Sequence, residues 1–180
     1  LRRPGGDKPA TTLRYRPGMP HLDRFAVPDI RNRSHRIIAR IERSSTTGQG
    51  VLLACGSRVG GYALYVKDNR FHYVYNRIGA LTTVASTVEL PAGACELTMR
   101  FDKTGEHTGT ATVLVDGVTC GSAPIELLPW RQTFYGMDIG SDQGSTVSDA
   151  YPAPFRFEGR LLHVDYELDN DRNDLRKAAA

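Results

Sequence analysis

The stretch Tyr62-Ala63-Leu64-Tyr65-Val66-Lys67-Asp68-Asn69-Arg70-Phe71-His72-Tyr73-Val74-Tyr75 decides the fold class. It consists of two runs rich in aromatic and β-branched residues, which favour strands, separated by the pair Asp68-Asn69. Asp and Asn tolerate the positive φ angles of a two-residue hairpin turn. The stretch therefore predicts two antiparallel strands, and Asp116-Gly117 predicts a second hairpin in the same way.

Similar strand-forming segments occupy most of the chain on both sides of this hairpin, each bounded by Gly, Pro, Asn or Asp. The predicted strands lie near residues 36–42, 51–55, 62–67, 71–75, 81–88, 96–101, 110–115, 134–139 and 160–168. Only residues 173–180 are compatible with a short helix, and fraying is the alternative there. Short strands without crossover helices predict an all-β fold, an antiparallel β-sandwich or jelly roll.

The chain divides into an extended, proline-containing lead-in at 1–30, a β-sandwich domain at 31–170 and a tail at 171–180. The formal net charge is only +3, but residues 1–43 hold eleven Lys and Arg against four Asp and Glu. This basic excess predicts docking on an acidic partner or a solvated face. Few aromatic residues accompany it, so we expect no nucleic-acid partner. No apolar run approaches the roughly 20 residues of a membrane span, so we expect no membrane insertion.

The three cysteines, Cys55, Cys95 and Cys120, lie in or beside apolar, strand-like runs. They form no CxxC pair and have no His at a spacing typical of metal ligands. A buried thiol in such a place behaves as a small hydrophobic side chain. The pattern excludes a typical zinc site, predicts free thiols and favours a cytoplasmic location.

The loop at 138–149 concentrates the oxygen-bearing side chains that Ca²⁺ prefers, and Asp142 and Asp149 are its candidate metal ligands. It lacks the carboxylate spacing of an EF-hand. The alternative is structural, because Asp and Ser in such loops bond neighbouring backbone amides. In that case Ser148 and Asp149 brace the crossing at 151–155, whose two prolines exclude it from a central strand.

Aromatic side chains on the strands offer a candidate carbohydrate-binding surface, since flat apolar rings can pack against sugar rings. Tyr62 and Tyr65 are the candidate ligand-binding residues, followed by Tyr73 and Tyr75. Tyr73 and Tyr75 share one strand face with Phe71, which predicts that this row lies in the core.

Groups suited to catalysis are scarce in the sequence. Glu167 and Asp169 form a pair of acids that a glycosidase could use, and a solvated strand end is the alternative. The cluster Gly56-Ser57-Arg58-Val59-Gly60-Gly61 lies between two strands rather than before a helix, which predicts a connecting loop and no phosphate site. We therefore expect no catalytic residue in this chain.

From Tyr15 to Leu168 the chain resembles the C-terminal domain of bacterial, especially actinobacterial, arylsulfatases of the formylglycine type. The resemblance rests on the order and spacing of several short motifs. They are Tyr15-Arg16-Pro17-Gly18, Pro28-Asp29-Ile30-Arg31-Asn32-Arg33-Ser34-His35, Gly50-Val51-Leu52-Leu53-Ala54, Gly60-Gly61-Tyr62-Ala63-Leu64-Tyr65-Val66-Lys67-Asp68, His72-Tyr73-Val74-Tyr75-Asn76, Leu90-Pro91-Ala92-Gly93, Val115-Asp116-Gly117, Ser148-Asp149-Ala150-Tyr151 and Pro154-Phe155-Arg156-Phe157-Glu158-Gly159.

The resemblance implies a concanavalin-A-like, laminin-G-like sandwich, in agreement with the strand pattern. It also implies a non-catalytic domain, an excised C-terminal piece that packs on and completes a sulfatase catalytic domain of the same polypeptide. That catalytic domain would use a divalent cation, calcium, and a formylglycine made from the cysteine of a C-x-P-S/T-R motif. Cys55-Gly56-Ser57-Arg58 lacks the proline of that motif, so we expect no cofactor in this chain. The alternative function is a lectin-like, carbohydrate-binding module.

Overall fold

The computed structural model describes residues 11–130 and 135–171, which form eleven β-strands. The strands are β1 (Thr11–Tyr15), β2 (His35–Arg43), β3 (Gly50–Ser57), β4 (Gly60–Lys67), β5 (Arg70–Arg77), β6 (Ala80–Ala85), β7 (Gly93–Gly105), β8 (Thr108–Val115), β9 (Val118–Glu126), β10 (Met137–Ile139) and β11 (Arg160–Leu168). Across the described ranges, no helix is long and apolar enough to cross a membrane. The short helix considered for 173–180 lies outside the described residues.

The strands form two antiparallel sheets. The six-stranded sheet has the order β1-β11-β2-β7-β8-β9, and the five-stranded sheet has the order β10-β3-β4-β5-β6. All named strand pairs are antiparallel. The predicted all-β, jelly-roll sandwich is therefore confirmed.

Both hairpins named from the sequence have the turn geometry that their residues favour. Asp68 and Asn69 have φ angles of 49° and 56°, and Asp116 and Gly117 have φ angles of 48° and 81°. Positive φ at both central positions is the mark of the type I′ turn, whose twist matches that of the flanking strands. The cluster at 56–61 joins β3 to β4, as predicted, and leads into no helix.

The structure differs from the sequence prediction at two strands. The lead-in contributes β1, which pairs with β11 and buries Tyr15 at its end. This strand was missed because four of its five side chains are exposed, so no apolar alternation marks it. The strand expected at 134–139 is reduced to the three residues of β10, and Phe134 lies outside the described residues.

The core explains the alternation along the central strands. On β4, Tyr62, Leu64 and Val66 face the six-stranded sheet and belong to the main core. Ala63 and Tyr65 face the other way and belong to a second cluster on the outer face of the five-stranded sheet. That second cluster is completed by Val147, Tyr151 and Phe155, so the segment that follows β10 covers this face. The three cysteines are free and buried, as predicted.

Candidate functional site

The tyrosines predicted to bind a ligand are buried. The Tyr62 hydroxyl lies 3.0 Å from that of Tyr166 in the main core, and burial raises the pKa of Tyr62. Tyr65 stacks on His72 with ring centroids 4.8 Å apart, and Tyr151 packs against it at 4.9 Å. Burial also raises the pKa of Tyr65 to about 12. Neither ring presents a free face, so the structure places no sugar platform at these residues.

Tyr73 and Tyr75 lie with Phe71 in the main core, as the shared strand face predicted. The Tyr75 hydroxyl accepts a hydrogen bond of 2.9 Å from the Leu128 amide. The Tyr75 hydroxyl therefore has its hydrogen-bond partner inside the protein, and the Tyr75 side chain packs in the core.

The loop with the candidate metal ligands is braced by hydrogen bonds. Asp142 Oδ2 accepts hydrogen bonds from the Tyr151 hydroxyl at 2.7 Å and from the Val147 amide at 3.0 Å. Burial of Asp142 raises its carboxyl pKa, whereas Asp149 is exposed. Within residues 11–130 and 135–171, no three His, Cys, Asp or Glu side chains lie together as a metal site would require. The structural alternative fits the geometry, with Asp142 rather than Asp149 as the brace.

Three further contacts hold this loop and its neighbours. Asp138 Oδ2 accepts a hydrogen bond of 3.0 Å from the Gln143 amide, and its Oδ1 lies 2.8 Å from His21 Nδ1. Ser148 Oγ accepts a hydrogen bond of 3.1 Å from the Ala150 amide, a local contact just before the crossing at 151–155. The sequence singled out Asp142 as a metal ligand and not as a brace, and it did not identify Asp138.

The acids considered for glycosidase chemistry differ in their placement. Glu167 lies on β11, whereas Asp169 follows that strand and is buried. The Asp169 carbonyl oxygen accepts a hydrogen bond of 2.7 Å from Arg33 Nε, and its amide donates one of 3.0 Å to the Ser34 carbonyl. The small pocket that Asp169 helps to line has no room for a water molecule, so this pocket is not a substrate site.

One end of the sandwich exposes several large apolar side chains on its connections, which the sequence did not predict. We call it the aromatic end and define it by Phe25, Val59, Ile78, Trp130 and Tyr135. Phe25, Trp130 and Tyr135 are 73%, 50% and 57% exposed. Hydrogen bonds join the segments that carry these three aromatic rings: Leu22 and Met137 exchange two backbone bonds, and Arg31 Nη1 donates to the Pro129 carbonyl.

The opposite end of the sandwich holds an open cleft, which we call the Arg43 cleft. It encloses about 410 Å³ and is lined by Glu42, Arg43, Ser44, Gly93, Glu158, Gly159 and Arg160. The end of β2, the start of β7 and the start of β11 meet there, since Arg43 pairs with Gly93 and Glu42 with Arg160. These residues are far apart in the sequence, so no local motif identifies the cleft.

Comparisons with known proteins support the fold and go no further. No family model matches the chain, and no curated protein matches it in sequence. Domains LG4-5 of the mouse laminin alpha1 chain share 15% identity at a TM-score of 0.50 over 92% of this chain, which spans 42% of that laminin chain. The CBM40 of the Ruminococcus gnavus IT-sialidase, bound to alpha2,3 sialyllactose, shares 12% identity at a TM-score of 0.53 over 83% of this chain and 84% of that module.

A third solved structure also has a fold similar to that of this chain. The leech intramolecular trans-sialidase shares 12% identity at a TM-score of 0.53 over 76% of this chain and 22% of that enzyme. These identities are low enough that the likeness establishes only the laminin-G-like sandwich.

Proposed function

We propose that this chain is a non-catalytic recognition module whose ligand is carbohydrate. The observation that carries the proposal is the Arg43 cleft, a cavity of about 410 Å³ with polar groups of both signs on its walls. Small-molecule sites typically occupy clefts of about 300–1,000 Å³ with a few convergent polar groups. The fold likeness to a CBM40 over most of both chains supports the same class of function.

A glycan array tests the proposal directly. The fluorescently labelled chain is expected to bind a subset of glycans saturably, with unlabelled chain competing for the same spots. Trp130→Ala serves as the matched control, because Trp130 is exposed at the end opposite the cleft and its truncation is expected to leave binding unchanged. Absence of saturable binding to every glycan class would overturn the proposal.

A second candidate function is favoured by the motif order and the aromatic end. The chain would be the C-terminal domain of an arylsulfatase, packing on a catalytic domain that holds the calcium ion and the formylglycine. Phe25, Trp130 and Tyr135 are large exposed apolar side chains, and Arg24 and Arg31 lie in the same connecting segment as Phe25. Aromatic residues and arginine are enriched at protein interfaces, which suits a surface covered by a neighbouring domain.

This second candidate has its own test. The chain is expected to show no turnover of p-nitrophenyl sulfate, whereas the reading frame that encodes it is expected to encode a C-x-P-S/T-R motif upstream. Sulfatase activity that copurifies with this chain and disappears on substituting one of its own residues would contradict a non-catalytic role. The two candidates are compatible, because they use opposite ends of the sandwich.

A further inference from the structure

Arg43, which gives the cleft its name, is itself held in place by several hydrogen bonds. Arg43 is almost fully buried, and its guanidinium donates to five oxygens: the carbonyls of Thr46, Gly48, Leu90 and Pro91 and the Asn69 side chain, at 2.9–3.2 Å. These oxygens belong to three separate connections between strands. One side chain therefore ties these three connections together beside the cleft, and its own position in the lining is fixed before any ligand arrives.

A donor of Arg43 stays unused. Its Nε is buried and has no hydrogen-bond partner among the described residues. An unsatisfied buried donor is costly, and such groups often indicate a ligand or a water molecule. Because Nε itself is shielded from solvent, this donor is not offered to a ligand in the cleft.

The rim of the cleft carries both hydrogen-bond acceptors and hydrogen-bond donors. Glu42 and Arg160 form an exposed ion pair at 3.4 Å across β2 and β11. Glu158 is exposed, and one of its carboxylate oxygens accepts a hydrogen bond of 3.2 Å from the Gln49 amide. Two carboxylates offset two guanidinium groups, so the cleft favours neither an anion nor a cation strongly.

A hydroxyl group both donates and accepts, whereas a carboxylate only accepts and a guanidinium only donates. A pair of adjacent hydroxyls can therefore bridge Glu158 or Glu42 to Arg160. Gly93 and Gly159 contribute backbone without side chains to the lining, which allows close approach of a ring. Each of these features suits an uncharged polyhydroxyl ligand.

We propose that the Arg43 cleft binds a neutral sugar, with Glu158 and Glu42 accepting from neighbouring hydroxyls and Arg160 donating to one of them. The inference rests on the proposed carbohydrate function and assigns it a site and a ligand class. An acidic saccharide gains no net attraction there, because the two carboxylates offset the two guanidinium groups.

The test uses the intact chain labelled with ¹⁵N and titrated with galactose, glucose, mannose, N-acetylglucosamine and sialyllactose. Amide shifts at residues 42–44, 93 and 158–160 are expected with a neutral sugar. Glu158→Gln preserves shape and the acceptor for Gln49, and it is expected to weaken binding about tenfold by removing a charged acceptor. Ser44→Tyr, which fills the cleft from an exposed position, is expected to abolish binding, and Glu106→Gln at the opposite end is the matched control.

The outcomes separate this inference from the broader proposal. The cleft assignment alone is overturned if glycan binding maps to the aromatic end. It is also overturned if binding survives both Glu158→Gln and Ser44→Tyr while thermal melting shows that the fold is intact. Binding of sialyllactose without any neutral sugar overturns the ligand class. Failure of the array and of all five titrations overturns the carbohydrate function itself.

Discussion

The Tyr151 hydroxyl donates a 2.7 Å hydrogen bond to Oδ2 of Asp142, and the same oxygen accepts from the Val147 amide at 3.0 Å. The Tyr151 ring in turn packs on Tyr65 of β4 and on Phe155, with centroids 4.9 and 5.3 Å away. One buried carboxylate thus fastens the segment after β10 over the outer face of the five-stranded sheet. This cover explains why Tyr65 is inaccessible to a ligand.

Removing that carboxylate is expected to loosen the cover. Asp142→Ala leaves the Tyr151 hydroxyl and the Val147 amide without their acceptor, so it should lower the free energy of unfolding by about 2 kcal/mol. Asp149→Ala removes only an exposed side chain and should cost less than about 0.5 kcal/mol. Urea unfolding of the two variants measures both values, and a larger loss for Asp149→Ala would restore Asp149 as the structural residue.

Excess EDTA is expected to leave the melting temperature unchanged, whereas a rise in the melting temperature with calcium would show a metal site.

Much of the sandwich could be predicted because strand periodicity and turn chemistry are local properties. The alternation in β4 and the Asp68-Asn69 turn depend on neighbours within a few residues. The strand β1 could not be predicted in this way, since its place is set by pairing of Thr11–Tyr15 with the distant β11.

The site was less predictable for the same reason. Periodicity assigns Tyr65 to one face of its strand, but the cover over that face comes from Tyr151 and Phe155 much later in the chain. The Arg43 cleft likewise brings together the ends of three strands. Burial and cleft formation are tertiary properties, so side-chain type alone could not identify them.

Gly61 provides a test of the β3–β4 hairpin. A Cβ atom at this position would lie 2.0 Å from the Cys55 carbonyl oxygen and 2.8 Å from Gly56 Cα, at a φ of +148°. Both contacts are with backbone, so Gly61→Ala should cost about 3 kcal/mol. Gly144→Ala is the control, because its φ is +81° but nothing lies within 4 Å, and it should cost about 1 kcal/mol. Equal losses measured by thermal unfolding would contradict the steric argument.

Arg43 should matter for stability independently of any ligand. Arg43→Met removes the donors to five oxygens, several of them buried, and is expected to lower the free energy of unfolding by about 3 kcal/mol. Arg43→Lys retains a cation with fewer donors in a different geometry and should lose less. Guanidinium denaturation measures the free energy of unfolding of both variants. If Arg43→Met is as stable as the wild type, the carbonyl oxygens are hydrogen-bonded by water in place of the arginine.

His35 makes stability dependent on pH. Its Nδ1 lies 2.9 Å from the Arg33 carbonyl oxygen, its ring stacks on Phe101 at 5.2 Å, and burial lowers its pKa from 6.5 to about 4. A folded-state pKa below the unfolded value means that stability is fully present above pH 6.5 and is lost as pH falls towards 4. The difference corresponds to a loss of about 3 kcal/mol across that window.

His35→Phe isolates this contribution, because it keeps the ring contact with Phe101 and removes the titration. Urea unfolding across the window is expected to show a smaller loss on acidification for the variant than for the wild type. Burial raises the pKa of Asp142, so Asp142 contributes to the pH dependence of stability with the opposite sign and favours the folded state at low pH. This contribution is the same in the wild type and the variant, so it cancels in the comparison. Parallel pH profiles for the two proteins would show that His35 is not held neutral by its burial.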